Sequence, residues 1–118
     1  MSEKNNIEII SEAIFRAKLK SVAEKRWGDM VKAVVDIEKE IMAIGGEMHA
    51  DEEQILLENG SEQKNLWGIN LYPDKLDDDF IQYDSMINIR PKQNNRSRGV
   101  EDEAVKIRIV ELVNKLVK

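Results

Sequence analysis

Cysteine is absent from this 118-residue chain, which excludes disulfides, thiolate metal sites and thiol nucleophiles. Histidine occurs once, at His49, so the several imidazole ligands of a typical catalytic zinc site are missing. No apolar run approaches the roughly 20 residues needed to span a bilayer. Met1 to Asn6 is polar and the next apolar positions are broken by Glu8, Ser11 and Glu12, so no secretory signal is expected. The expectation is a cytoplasmic protein with no membrane association, no cofactor and no bound metal.

What is present suits one domain. Hydrophobic residues make up 42% of the chain, enough for a core, and a domain of this length buries about two-thirds of its unfolded surface. The 23 acidic and 18 basic side chains give a formal charge of -5, a field that opposes approach to duplex nucleic acid or an anionic membrane. The whole of 1–118 reads as a single domain, with residues 1–8 as a flexible tail.

The apolar spacing of Phe15, Leu19, Val22, Ala23 and Trp27 predicts an amphipathic helix from Ser11, stopped by Gly28. Val31, Ala33, Val35 and Ile37 alternate as in a strand, and Ile41 to Gly46 reads as its hairpin partner across Glu38-Lys39-Glu40. Ala50 to Glu58, with acids in its first turn and Asn59-Gly60 after it, fits a short helix, the alternative being a hairpin turned by Asn59-Gly60 after Ile55-Leu56-Leu57. Leu66 to Tyr72 and Phe80 to Arg90 predict strands three and four, ended by Pro73 and Pro91. Glu101 to Lys118 carries the stripe Val105, Ile109, Leu112, Val113 and Leu116 and predicts a C-terminal helix. The expected fold is α+β, a mostly antiparallel sheet of about four strands with the N- and C-terminal helices on one face.

Gly28 to Asp36, His49-Ala50-Asp51-Glu52, Gly60-Ser61, Leu66-Trp67-Gly68 and Ser85 to Pro91, with Asn95-Arg96-Ser97, together resemble a family of small bacterial and archaeal proteins of unknown function. The resemblance runs from about Trp27 to the C-terminus, matches no enzyme signature and implies no catalytic residue.

Three constellations could carry chemistry. His49 titrates near neutral pH and could act as general acid/base with Asp51 or Glu52 orienting its ring. Neighbouring carboxylates would raise its pKa. The alternative is a surface histidine in an acidic turn.

Arg90, Arg96 and Arg98, interspersed with Asn94, Asn95 and Ser97, could cradle an anion at the start of the last helix. Glu101, Asp102 and Glu103 compete for the same arginines, and salt bridges that order the loop are the simpler role. Asn70 on one strand, with Tyr72 beside it, and Asn88 and Arg90 on the next would line a polar sheet surface, Trp67 lying on the first of these strands. That surface is either an amide network or a binding site.

Two functions follow. One is a binding or interaction module using Trp67, Asn70, Asn88, Arg90, Asn95, Arg96 and Arg98 to hold a protein partner or small anion, with homodimer formation through edge strands. The other is a hydrolase or phosphodiesterase-like enzyme with His49 as acid/base, Asp51 as its partner and an arginine clamp. Ser85, Asp84 and His49 form a triad by residue type alone, with no nucleophile-elbow spacing.

Overall fold

In the computed structural model, which describes residues 6–118, the strongest sequence pattern becomes the centre of the sheet. The described residues hold strands β1 (Glu8–Ile10), β2 (Val31–Asp36), β3 (Ile41–Ile44), β4 (Leu66–Leu71) and β5 (Ile81–Gln82). The helices are α1 (Arg16–Glu24), α2 (His49–Glu58) and α3 (Glu103–Leu116). All strand pairs are antiparallel, in the order β1-β3-β2-β4-β5. The α+β class and the antiparallel sheet are as expected, but the sheet has five strands. The edge strands β1 and β5 are only three and two residues long, which limits pairing with another chain.

The β2–β3 hairpin lacks an Asn-Gly turn because Asp36 does that work. Its Oδ1 accepts from the Glu38 and Lys39 N–H groups at 2.9 Å each, and its Oδ2 from Ser61 Oγ at 2.6 Å. Glu40 completes the turn at φ 57°.

Alternation then sorts the strands between two cores. Val31, Ala33, Val35, Met42, Ile44, Trp67, Ile69 and Leu71 pack with Leu19 and Ala23 of α1 and with Ile109, Leu112, Val113 and Leu116 of α3. On the opposite face Val34, Ala43 and Leu66 pack with Leu56 of α2. The N- and C-terminal helices α1 and α3 share one face as expected, and the correction concerns α2, which covers the other. Every residue of β4 is buried because helices cover both sides.

Further expectations change. The first helix begins at Arg16, not Ser11, because Ile14 bridges to Val117 and Arg16 N–H donates to the Lys118 carbonyl at 3.0 Å. Phe15 therefore lies ahead of the helix and is 72% exposed, off the core stripe. Residues 1–5 of the expected tail lie outside the described residues, and Glu8, its last residue, opens β1. The run Phe80 to Arg90 forms a strand only at Ile81–Gln82, and Met86–Asn88 is a 3-10 turn capped by Ser85. Lys25, not Gly28, caps α1; Gly28 follows in the turn beyond it at φ 89°, its N–H donating back to the Ala23 carbonyl at 2.6 Å.

Candidate functional site

Where β5 stops, side chains take over its hydrogen-bonding role. The next outward-facing positions of β4 after Asn70, which pairs with Gln82, are Gly68 and Leu66. Asn88 Oδ1 accepts from the Gly68 N–H at 2.8 Å, and its Nδ2 donates to the Gly68 carbonyl at 3.0 Å and the Arg98 carbonyl at 2.9 Å. Arg90 Nη2 donates to the Leu66 carbonyl at 2.6 Å and Nη1 to the Gln63 carbonyl, with the guanidinium 4.2 Å from the Trp67 ring centroid. These two side chains finish the strand edge that a longer β5 would have covered.

A second amide holds the loop behind them. Asn95 Nδ2 donates to the carbonyls of Asn88 (2.7 Å), Gly99 (2.8 Å) and Ser97 (3.2 Å), while its Oδ1 accepts from the Glu101 N–H at 2.8 Å. The Arg96 and Ser97 N–H groups both point at Glu101 Oε2, at 2.7 and 2.8 Å. Those bonds hold the Glu101 carboxyl below the usual range. The chain's own carboxylate thus occupies the backbone anion nest of this loop.

The expected polar surface therefore divides. Asn88 and Asn95 are fully or almost fully buried and are engaged in the loop network. Arg90 packs on Trp67 at the far end of β4, and Arg96 is exposed beside Glu101. Asn88 and Arg90 share no sheet face with Asn70, because neither lies on a strand.

Asn70 and Arg98 belong instead to a cleft of ≈ 310 Å³ on the α2 side of the sheet. Its polar lining is Lys32, His49, Asn70, Asp84, Ser85 and Arg98, and Met30, Met48, Met86 and Ile87 supply apolar surface. A larger hollow of ≈ 470 Å³ adjoins Arg16 and Phe80. Its arginine is already spent on the Pro73 and Lys75 carbonyls and on the Phe80 ring.

His49 opens α2 and is 7% exposed. Its Nε2 lies 2.8 Å from the Ile69 carbonyl, an acceptor only, so Nε2 carries the proton and Nδ1 of the neutral ring is an acceptor. Burial holds its pKa below the ordinary histidine value, opposed by the Ile69 bond and reinforced by the Lys32 charge. This corrects the expected rise: the ring's bonded partner is a backbone carbonyl, and Asp51, two positions along α2, does not line the cleft.

Gly68 makes room for the site. A Cβ there would lie 2.5 Å from Ser85 Oγ and 3.2 Å from His49 Cδ2, so these two side chains close over the glycine from either side. Ser85, Asp84 and His49 do share the cleft, but as separate units. Ser85 Oγ accepts from the Ile87 N–H, Asp84 Oδ1 accepts from Arg98 Nε at 2.7 Å, and His49 bonds Ile69.

Lys32 and Gly68 carry no site signal in the motifs of the sequence, and Asp84 enters there only in a triad by residue type. An unexplained glycine inside a strand was the one available signal, since it marks a close approach.

Among the described residues no group of three or more His, Asp or Glu side chains could hold a metal, and no helix is long and apolar enough to cross a membrane. A family model described as "Protein of unknown function (DUF5674)" matches residues 8–116. The chain belongs to this family. Neither a curated protein nor a solved structure matches it.

One buried group in this DUF5674 chain is titratable and lies next to the site. Glu52, one turn along α2 from His49, is fully buried, with Oε2 accepting from the Gly46 N–H at 2.9 Å and Oε1 lacking a partner. Burial pushes its carboxyl well above the usual range, against the pull of the Gly46 bond. The unfolded carboxyl ionises near 4.5 while the folded one keeps its proton, so the fold loses stability as pH rises between those two values. Glu52→Gln keeps an acceptor for Gly46 and removes the ionisation. Its Tm should exceed that of the parent by several degrees more at pH 8 than at pH 5. An offset independent of pH would exclude Glu52 as the titrating group.

Proposed function

We propose that the protein is a binding module for a small anion held in the His49 cleft. The observation that carries this reading is the net positive charge that Lys32 and Arg98, against Asp84, give the lining of a cleft in an acidic protein. Lys32 has no carboxylate partner among the described residues and sits 4.8 Å from the Trp27 ring. Arg98 gives only Nε to Asp84, so both terminal amino groups of its guanidinium lack acceptors. Of the residues expected to bind, Asn70 and Arg98 remain, and His49 joins them as a binding residue. Trp67, Asn88, Arg90, Asn95 and Arg96 serve the fold around it. The short sheet edges favour a small ligand over a homodimer built by strand addition.

Inorganic phosphate titrated into isotopically labelled protein should shift the resonances of Lys32, His49 and Arg98 together. Loss of one charge-assisted bond in Lys32→Gln should weaken binding about tenfold. Shifts that persist unchanged in a Lys32→Gln/Arg98→Gln double variant would sink the reading.

A hydrolase draws on one specific observation, that His49, Asp84, Ser85 and Arg98 line the same cleft. In that reading His49 Nδ1 is the general base and Arg98 the clamp on developing phosphoryl charge. The separate hydrogen bonds of Ser85, Asp84 and His49 give it no activated nucleophile.

A further inference from the structure

We infer that the ligand of this cleft is an amphipathic monocarboxylate, its carboxylate on Lys32 and Arg98 and its apolar body against Met30, Met48 and Met86. This rests on the anion-binding reading and adds what the rest of the ligand must be.

The volume supplies the first argument. A cleft of ≈ 310 Å³ has room for about ten waters at about 30 Å³ each, far more than a bare inorganic anion fills. The charge supplies the second. Lys32 and Arg98 bring two positive charges and Asp84 one negative, so one net positive charge remains, which suits a monoanion better than a dianion or polyphosphate. The free fork of the Arg98 terminal amines also matches a planar carboxylate.

The rim supplies the third. Three of the chain's five methionines line this one cleft, which concentrates soft, adaptable apolar surface where a ligand would lie. Met48 caps α2 from one side and Met86 opens the 3-10 turn on the other, at 52% and 66% exposure. Large apolar side chains that exposed contribute little to the fold, and both are free to close on an apolar body.

The test uses the full chain with labelled methionine methyl groups, titrated separately with hexanoate, acetate, inorganic phosphate and hexanol. Hexanoate should shift the Met30, Met48 and Met86 methyls and bind at least tenfold tighter than acetate, because its added methylenes are buried. Met48→Gln with Met86→Gln should erase that advantage while leaving acetate binding unchanged. Both positions are exposed, so the fold survives the change.

Hexanoate binding no tighter than acetate, or phosphate binding better than either, overturns the monocarboxylate and leaves the anion site standing. Hexanol binding as well as hexanoate removes the carboxylate anchor and overturns both readings. Silence from all four probes does the same.

Discussion

Asn88→Ala is expected to cost the fold about 3 kcal/mol or more, since each buried backbone group left unpaired costs about 1–3 kcal/mol. Two such groups lose their partner at once, the Gly68 N–H and the Gly68 carbonyl, and the Arg98 carbonyl is left with the Ser85 N–H alone. Asn88 is fully buried, so water cannot replace the amide without the loop moving. Against a total stability of about 5–15 kcal/mol for a domain, that is a large fraction. Urea denaturation followed by tryptophan fluorescence measures it. Asn88 would have to be reassigned from the fold to a ligand if the variant kept parental stability and lost only binding.

The second large effect is expected at Gly68. An alanine Cβ there would sit 2.6 Å from Ser85 Cβ and 3.2 Å from His49 Cδ2, distances that force both neighbours to shift. Ser85 cannot retreat easily, being 1% exposed and bonded through its N–H to the Arg98 carbonyl at 2.9 Å. Overpacking of this kind costs about 1–3 kcal/mol, and it also pushes the 3-10 turn away from the Gly68 backbone that Asn88 holds. Gly68→Ala should therefore destabilise by about 3 kcal/mol and displace the His49 ring resonances. Ser85→Gly in the same molecule should recover at least half of the loss, a coupling that identifies the clash as the cause. Equal, additive costs for the two changes would mean that the neighbours never met.

How much of this was legible depends on whether the signal was local. The hairpin of β2 and β3 and the stripe of α3 rest on periodicity within each element, helix α2 on its acidic first turn and the Asn59-Gly60 that follows it, and all three form as expected. β1 was missed because three residues, Glu8-Ile9-Ile10, carry too little pattern to outweigh a polar flank. The strand expected through Arg90 failed for a different reason. Ile87 and Ile89 alternate with Asn88 and Arg90 as strand residues would, but Asn88 completes the ladder of β4 with its side chain. A side-chain amide and a backbone peptide offer the same donor and acceptor, so the sequence pattern does not distinguish them.

The candidate site was legible in its histidine, in Asn70 and in Arg98, and opaque elsewhere. His49 stood out as the chain's sole imidazole, although its burial and its lowered pKa depend on β4 lying beneath it. Lys32 sits in β2 and reads as a solvated strand residue until α2 and the turn at 86–88 enclose it. Asp84 and Ser85 reach the same cleft only because strand pairing ends at Gln82 and the chain turns back.

The side-chain closure of β4 also gives the cleft a timescale of its own. Residues 83–99 wall one side of it, and apart from the Arg90–Asn95 bridge they form no strand ladder. They are latched to β4 by Asn88 and Arg90, while Asn95 ties the segment to itself. Release of these two side chains would let this wall swing out while β2, β3 and β4 stay paired, an opening that costs less than global unfolding. The opening of that wall is then paced by a latch and not by the breathing of the sheet.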